Sequence, residues 1–262
     1  MKSFIALAIA AITNAVETEN NFKFMQFVSK FAKNYDTVEE WMARMKNWLE
    51  VEKVIEAHNA TESSYKLGHN KFSDWSVEEW EGLQTYKQDS AKVITYTNEI
   101  TPNVTATPID WREHNAVNPV KDQGSCGSCW AFSTITTLES AHAIKSGTLL
   151  SFAEQQLVDC DINDSNKGCD GGDVDVAYKY FYEHNTILEA SYLYTAVDGT
   201  CQYDSLANTG INVVGYTGVQ RNSPDAMKSS LGQQPIKVGV HASDTSFRSY
   251  TSGIYNNTAC GY

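Results

Sequence analysis

A chain of 262 residues holds one large domain or two modest ones. Its 42% hydrophobic and 11% aromatic content is ordinary globular composition, not that of a disordered or membrane protein. Its 20 basic and 32 acidic residues leave a net charge of −12, and without any basic block this speaks against nucleic acid as a partner and for a solvated acidic surface.

Lys2, the apolar run from Phe4 to Ile12 and the small residues around Thr13 and Ala15 form a secretory signal pattern over residues 1–15, too short to span a bilayer. A buried N-terminal helix is the weaker alternative, because a polar, acidic stretch follows at once. No later segment is apolar for long enough to span a membrane. Export permits disulfides, and none of the six cysteines (Cys126, Cys129, Cys160, Cys169, Cys201 and Cys260) lies before residue 126. Sequons at Asn59, Asn103, Asn163 and Asn256 fit an exported glycoprotein.

From Phe22 to about Gln88 the chain is charged, helical in pattern and free of cysteine. Thr37-Val-Glu-Glu40 reads as a capping box. Trp41, Met45, Trp48, Val51 and Ile55 then make an apolar stripe to about His58, with Glu40 and Arg44 one turn apart. Residues 89–107 are small, polar and β-branched, which suits an exposed linker that proteases can cut. From Pro108 the composition turns to Gly, Cys and Tyr. A helix is expected from Ser128 to Lys145, stopped at Gly147. Ser151-Phe-Ala-Glu154 reads as a second capping box opening a short helix toward Cys160, and Asp173 to His184 as a third helix. Residues 211–216 and 235–241 carry strand texture, with apolar residues at 236, 238 and 240. A helical half is thus expected to precede the start of a sheet half.

The chemistry centres on Gln123-Gly-Ser-Cys126-Gly-Ser-Cys129-Trp130. A nucleophilic cysteine must be a thiolate, and the first turn of a helix favours one through its free N–H groups and positive dipole end. Cys129 stands at such a start. The side-chain amide of Gln123 and the backbone N–H of Cys129 are candidates for an oxyanion hole. A CxxC spacing also marks thiol-redox and zinc sites. The first expects a βαβ context and the second another ligand pair nearby, and neither is present.

This segment matches the local signature around the nucleophile of papain and the cathepsins. From Phe22 to Tyr262 the chain resembles a papain-family cysteine protease of the cathepsin L-like branch, in precursor form. Glu40, Arg44, Trp48, Ile55 and Asn59 follow the family's interspersed propeptide motif, with Val51 where Asn is common. Gly68-His-Asn70-Lys-Phe72-Ser-Asp74 resembles its second propeptide motif, Asp110-Trp-Arg112 the mature N-terminus, and Gly168-Cys-Asp-Gly-Gly172 the segment lining the substrate cleft.

The resemblance implies an α+β, papain-like two-domain fold, with a helical left domain and an incomplete β-barrel-like right domain, behind a helical propeptide. Residues 1–15 would be the signal, 16–104 the inhibitory propeptide and 105–262 the peptidase domain. It further implies disulfides Cys126–Cys169 and Cys160–Cys201, with Cys129 free as the nucleophile. Gly171 and Gly172 would meet the substrate backbone, Asp173 and Val174 would wall the main specificity pocket, and Gly239 would lie opposite. Asp173 departs from the apolar residue usual there, and a solvated helix N-terminal acid is the equal alternative. No metal or cofactor is implied. The partners would be protein and peptide substrates, the chain's own propeptide lying over the cleft against the substrate direction, and proteinaceous cysteine-protease inhibitors. The setting would be the secretory pathway, with a lysosome, a digestive vacuole or the extracellular space as destination.

Such a protease needs an imidazole, expected roughly 130 to 150 residues beyond the cysteine, and a group to orient it. His58 and His69 belong to the propeptide, and His114, His142 and His184 read as surface residues. His241 alone is placed to contend, on the same strand face as Gly239. It precedes Ser252-Gly-Ile-Tyr255 and Cys260, which in the family come before the catalytic histidine. The expectation is a C-terminally truncated precursor with Cys260 unpaired. The rival reading is a non-catalytic pseudoprotease or a propeptide-type inhibitor.

Overall fold

The computed structural model describes residues 18–86 and 108–258. The expected signal segment, the linker 89–107, Asn103 and Cys260 lie outside them. In chain order the elements are helices α1 (18–30) and α2 (Val38–Asn59), strand β1 (Tyr65–Leu67), and helices α3 (Val77–Glu81), α4 (Cys129–Ser146), α5 (Glu154–Cys160), α6 (Val174–Glu183), α7 (Pro224–Leu231) and α8 (Thr245–Arg248). Strand β2 (Tyr250–Gly253) follows. They form two compact units that cut across the compositional break near residue 105. One joins the chain up to Glu81 with the segment from His241 onward, and the other is Gly82–Val240. No helix among the described residues is long and apolar enough to cross a membrane.

In the first unit, the Thr37 hydroxyl accepts from the Glu40 N–H at 3.1 Å and opens α2. The Glu40 carboxylate reaches back one residue further than a standard capping box, to the Asp36 N–H. Trp48, Val51 and Ile55 are buried as the stripe requires, and Trp41 and Met45 pack against Phe24, Phe27 and Trp48. Arg44 forks onto both carboxylate oxygens of Glu79 and also faces Glu40. The buried Asp74 carboxylate accepts from Lys33 at 2.8 Å and from the Tyr35 hydroxyl at 2.7 Å. Glu52 holds Lys23 and His69, and the imidazole of His69 stacks on Trp48 with centroids 4.5 Å apart. Strand β1 pairs antiparallel with β2, Tyr65 opposite Gly253 and Leu67 opposite Tyr250, with a bulge after Lys66.

The second unit closes around Trp130, Ile135, Phe152, Leu157 and Phe181. Helix α4 ends at Gly147, whose φ of +77° is the left-handed C-cap glycine tolerates. The expected capping box at Ser151 does not form, and α5 starts only after Ala153, with no side-chain cap. Residues 151–153 run extended against 187–189 instead. Phe152 bridges Leu188, the Ala153 N–H donates to the Ile187 carbonyl, and the Ser151 carbonyl accepts from Glu189. Two disulfides staple the unit, Cys126–Cys169 and Cys160–Cys201, with Cα separations of 4.6 and 4.7 Å.

The sheet half differs from expectation. Among the described residues the one sheet is the β1–β2 pair, and neither 211–216 nor 235–241 is a strand. A strand is defined by its partner, and the 209–213 backbone spends its groups on Phe181 and Thr186 at the end of α6 and beyond. Val238 and Val240 are 55% and 63% exposed, so the alternation at 236, 238 and 240 has no buried face behind it. Helix α7, unforeseen, starts where the Ser223 hydroxyl caps the Ala226 N–H and Pro224 takes the first turn.

Candidate active site

Cys129 is the first residue of α4 and has no disulfide partner. The preceding N-cap, Ser128, gives the helix no side-chain cap. Its hydroxyl bonds the Tyr194 hydroxyl at 2.6 Å, and Tyr194 donates to the Gln123 carbonyl at 2.9 Å. The Ser128 side chain therefore caps none of the first-turn N–H groups. The Ser128 carbonyl accepts from the Ala131 and Phe132 N–H groups at 2.8 and 3.1 Å, and the Trp130 N–H is left to the Cys129 sulfur. The Cys126–Cys169 bridge and the 2.9 Å bond from the Gly127 N–H to the Cys169 carbonyl lock the approach loop to the 168–172 segment. Gln123 donates one side-chain N–H to the Cys126 carbonyl at 2.8 Å, which fixes the amide and leaves its second N–H to spend. Upstream, Lys121 sits between Glu139 of α4 and Glu154 of α5, at 2.8 and 2.6 Å, both carboxylate side chains being 1% exposed.

An extended segment of the same unit, Thr85–Tyr86, covers this cysteine. Tyr86 makes a parallel bridge with Gly172, and the Thr85 hydroxyl donates to the Gly127 carbonyl at 2.6 Å. Glycines make the slot. A Cβ on Gly171 would lie 2.3 Å from the Thr85 carbonyl oxygen, and Gly171 holds a φ of +105° that other residues rarely adopt. A Cβ on Gly127 would fall 2.6 Å from the Thr85 side chain.

This cover reverses the expected ionisation of Cys129. Burial is the largest influence and pushes the thiol up, outweighing the hydrogen bonds from the Trp130 backbone, the Thr85 side chain and backbone, and the Tyr86 backbone that favour the thiolate. The helix N-terminus helps the sulfur as foreseen, but beneath Thr85 and Tyr86 desolvation wins.

Asp173 is only 8% exposed, so it is not the solvated acid of the alternative reading. It caps α6, accepting from the Asp175 N–H at 2.8 Å, while its own N–H donates to Asn166. Val174 is buried in the core cluster. Gly239 lies against Tyr86, where a Cβ would be 3.2 Å from the ring.

Two residues were missed. Lys237 donates to the Tyr86 hydroxyl at 2.9 Å, and the half-buried Asp175 shares a cavity of about 330 Å³ with Tyr86, Lys237 and Gly239. Burial pushes the Asp175 carboxyl up, against the pull of Lys237. The signal for Lys237 was its place in Pro235-Ile-Lys-Val-Gly239, a lone cation in an apolar run.

The histidines are engaged elsewhere. His184 stacks on Tyr180, His142 bonds Ser146 and His114 lies by Trp111. His241 belongs to the first unit, near Asp244 at the start of α8.

With this geometry, the match of residues 105–262 to the papain family cysteine protease model is decisive. The chain belongs to the papain family of cysteine proteases. Residues 24–80 match the cathepsin propeptide inhibitor domain, so this papain-family chain carries α1, α2, β1 and α3 as its inhibitory segment. Digestive cysteine proteinase 1 of Homarus americanus is 38% identical over 250 residues, 92% of this chain and 76% of that protein. Cathepsin L of Sarcophaga peregrina is 35% identical over 97% of this chain and 80% of its own length. Among solved structures, a recombinant stem bromelain precursor matches with a TM-score of 0.80 at 32% identity, covering 93% of this chain and 78% of that one. Digestive procathepsin L 3 of Tenebrio molitor larval midgut matches at 0.76 and 29%, covering 92% and 80%. The fold is that of a papain-like proenzyme, and the non-catalytic rival is not favoured.

Proposed function

We propose that this papain-family zymogen is latent because Thr85–Tyr86 occupies the slot an extended peptide substrate would take, and that Cys129 is its nucleophile. The supporting observation is that cover: a backbone laid on Gly127, Gly171 and Gly172 directly over a free cysteine at a helix start. Once the segment leaves, water returns to Cys129 and the helix N-terminus favours the thiolate. The sulfur then attacks a peptide carbonyl carbon. The oxyanion takes hydrogen bonds from the Gln123 side chain and the Cys129 N–H, and the C–N bond breaks to give a thioester and an amine that takes up a proton. Water releases the acid and restores the thiol. An imidazole handles both protons in this chemistry.

Residues 16–104 act as the inhibitory propeptide and 105–262 as the peptidase part. Residues 1–15 direct export to a lysosome, a digestive vacuole or the extracellular space. Protein and peptide substrates, and proteinaceous inhibitors after activation, compete for the slot the propeptide leaves. Of the described sequons, Asn256 is exposed and fits glycosylation, whereas the Asn59 amide is tied to Leu67 and that of Asn163 to its own turn.

The test is to cut within 87–107 at acidic pH under reducing conditions and follow Cys129 by mass spectrometry. Release should speed its alkylation at least ten-fold and allow an acyl adduct from an activated peptide ester, lost in Cys129→Ala. Unchanged alkylation after release would overturn the reading.

A further inference from the structure

The contact between Tyr86 and Lys237 is more particular than a cover requires. The ring rests where Gly239 leaves room, since a Cβ there would stand 3.2 Å from it. At the far end of the ring the Lys237 ammonium donates to the phenol oxygen at 2.9 Å, and it lies 4.8 Å from the ring centroid. The two distances put the ammonium beyond the phenol oxygen, so the cation reads the hydroxyl at the tip of the ring. Asp175 shares the cavity and interacts electrostatically with Lys237, which opposes entry of a second carboxylate. The pocket therefore suits a neutral aromatic side chain with an acceptor at its tip.

We propose that Lys237 is a specificity-determining residue: after activation this pocket takes a substrate tyrosine in preference to phenylalanine, leucine or glutamate, and Tyr86 holds the latent chain closed by mimicking it. The inference rests on the protease reading for its substrate half only. A site built to hydrogen-bond a hydroxyl discriminates against the analogue that lacks it, because its donor is left unpaired. Here the pocket is half-open, so the preference is expected at about five-fold, the size of one net hydrogen bond.

Two arms test it. In the full latent chain, iodoacetamide labelling of Cys129 is compared in wild type, Tyr86→Phe, Lys237→Met and the double variant. Each single change is expected to speed labelling about five-fold and the double no further. Additive effects, or none, would show that the two side chains are not coupled and overturn the proposal. In the activated form, peptidyl fluoromethyl ketones differing only in Tyr or Phe are compared, with the aromatic residue moved through the three positions before the warhead. At one position Tyr should label Cys129 about five-fold faster, and Lys237→Met should bring the two rates together. Equal rates at every position, with both reagents far faster than iodoacetamide, would overturn the proposal and leave the protease reading standing. Reagents no faster than iodoacetamide would overturn the protease reading, and the first arm would still decide whether Lys237 anchors Tyr86.

Discussion

Replacing Lys121 with methionine removes the cation between Glu139 and Glu154 while keeping most of the side-chain volume. Both carboxylate side chains are 1% exposed, and a Glu139 oxygen also accepts from the Phe152 N–H at 2.9 Å. Breaking a buried ionic set by removing one partner costs about 3–5 kcal/mol, because a charge is left without compensation. That full loss applies near pH 8, where Glu154 is ionised beside Lys121 in the wild type. Burial already pushes the Glu154 carboxyl up, and Lys121 is the strongest influence holding it down. In the variant it rises further, each added unit being worth about 1.4 kcal/mol. A carboxyl raised in the native state contributes stability fully present below its unfolded value of about 4.5, and lost as pH rises through the native one. At pH 5 Glu154 therefore carries a proton in the variant, and the loss should shrink to about 1–2 kcal/mol, roughly the worth of the missing hydrogen bonds. Native-state hydrogen exchange on the α4 and α5 amides of the full chain, at both pH values, measures it. An equal loss at pH 5 and pH 8 would show that Lys121 acts by packing, and no loss would show that the triad does not hold the loop carrying Gln123.

Gly171→Ala should raise Cys129 alkylation in the latent chain at least five-fold, since its Cβ would meet the Thr85 carbonyl at 2.3 Å and strain at φ +105° costs about 1–3 kcal/mol; an unchanged rate would mean that Thr85 does not lie there. Burial lowers the His69 pKa below its ordinary value of 6.5, so its contribution to the first unit is complete above that pH and fades as acid protonates the ring. His69→Gln, which keeps a donor for Glu52, should flatten the acid-side loss of α2 exchange protection, and an unchanged pH slope would assign that loss elsewhere. Of Asn59, Asn163 and Asn256, only Asn256 should carry glycan when the chain is expressed through a secretory pathway; glycopeptide mapping that finds Asn59 occupied would contradict its paired bonds to Leu67.

What was legible in the sequence was what neighbouring residues decide among themselves. The α2 stripe, the Thr37 cap, the Gly147 stop and the placing of Cys129 at a helix start each rest on residues within about two turns of one another. The Ser151 box had the right letters, but residues 187–189 claimed that backbone first. Strand texture at 235–241 was real but found no partner among the described residues, and the strand that did form, β2, is a run of exposed residues pairing with β1. The glycines Gly171 and Gly172 were legible as a motif. That Thr85 fills their slot, and that Lys237 meets Tyr86, depends on contacts 42 and 151 residues apart that no local pattern announces.

The β1–β2 pair also orders events in time. Lys66 accepts a hydrogen bond from Thr251, 185 residues later, so during synthesis the first unit waits with β1 unpaired until residues 250–253 emerge. Contacts of such separation close slowly, whereas α4, α5 and their disulfides can form earlier and more locally. The inhibitory segment is thus made before the 241–258 stretch and offers the strand against which residues 250–253 pair. Cleavage between β1 and residue 108 would leave β2 without the one strand it pairs with among the described residues. A molecule cut between β1 and residue 108 and then unfolded is expected to regain the 241–258 stretch more slowly than the uncut chain, which a refolding comparison of the two checks.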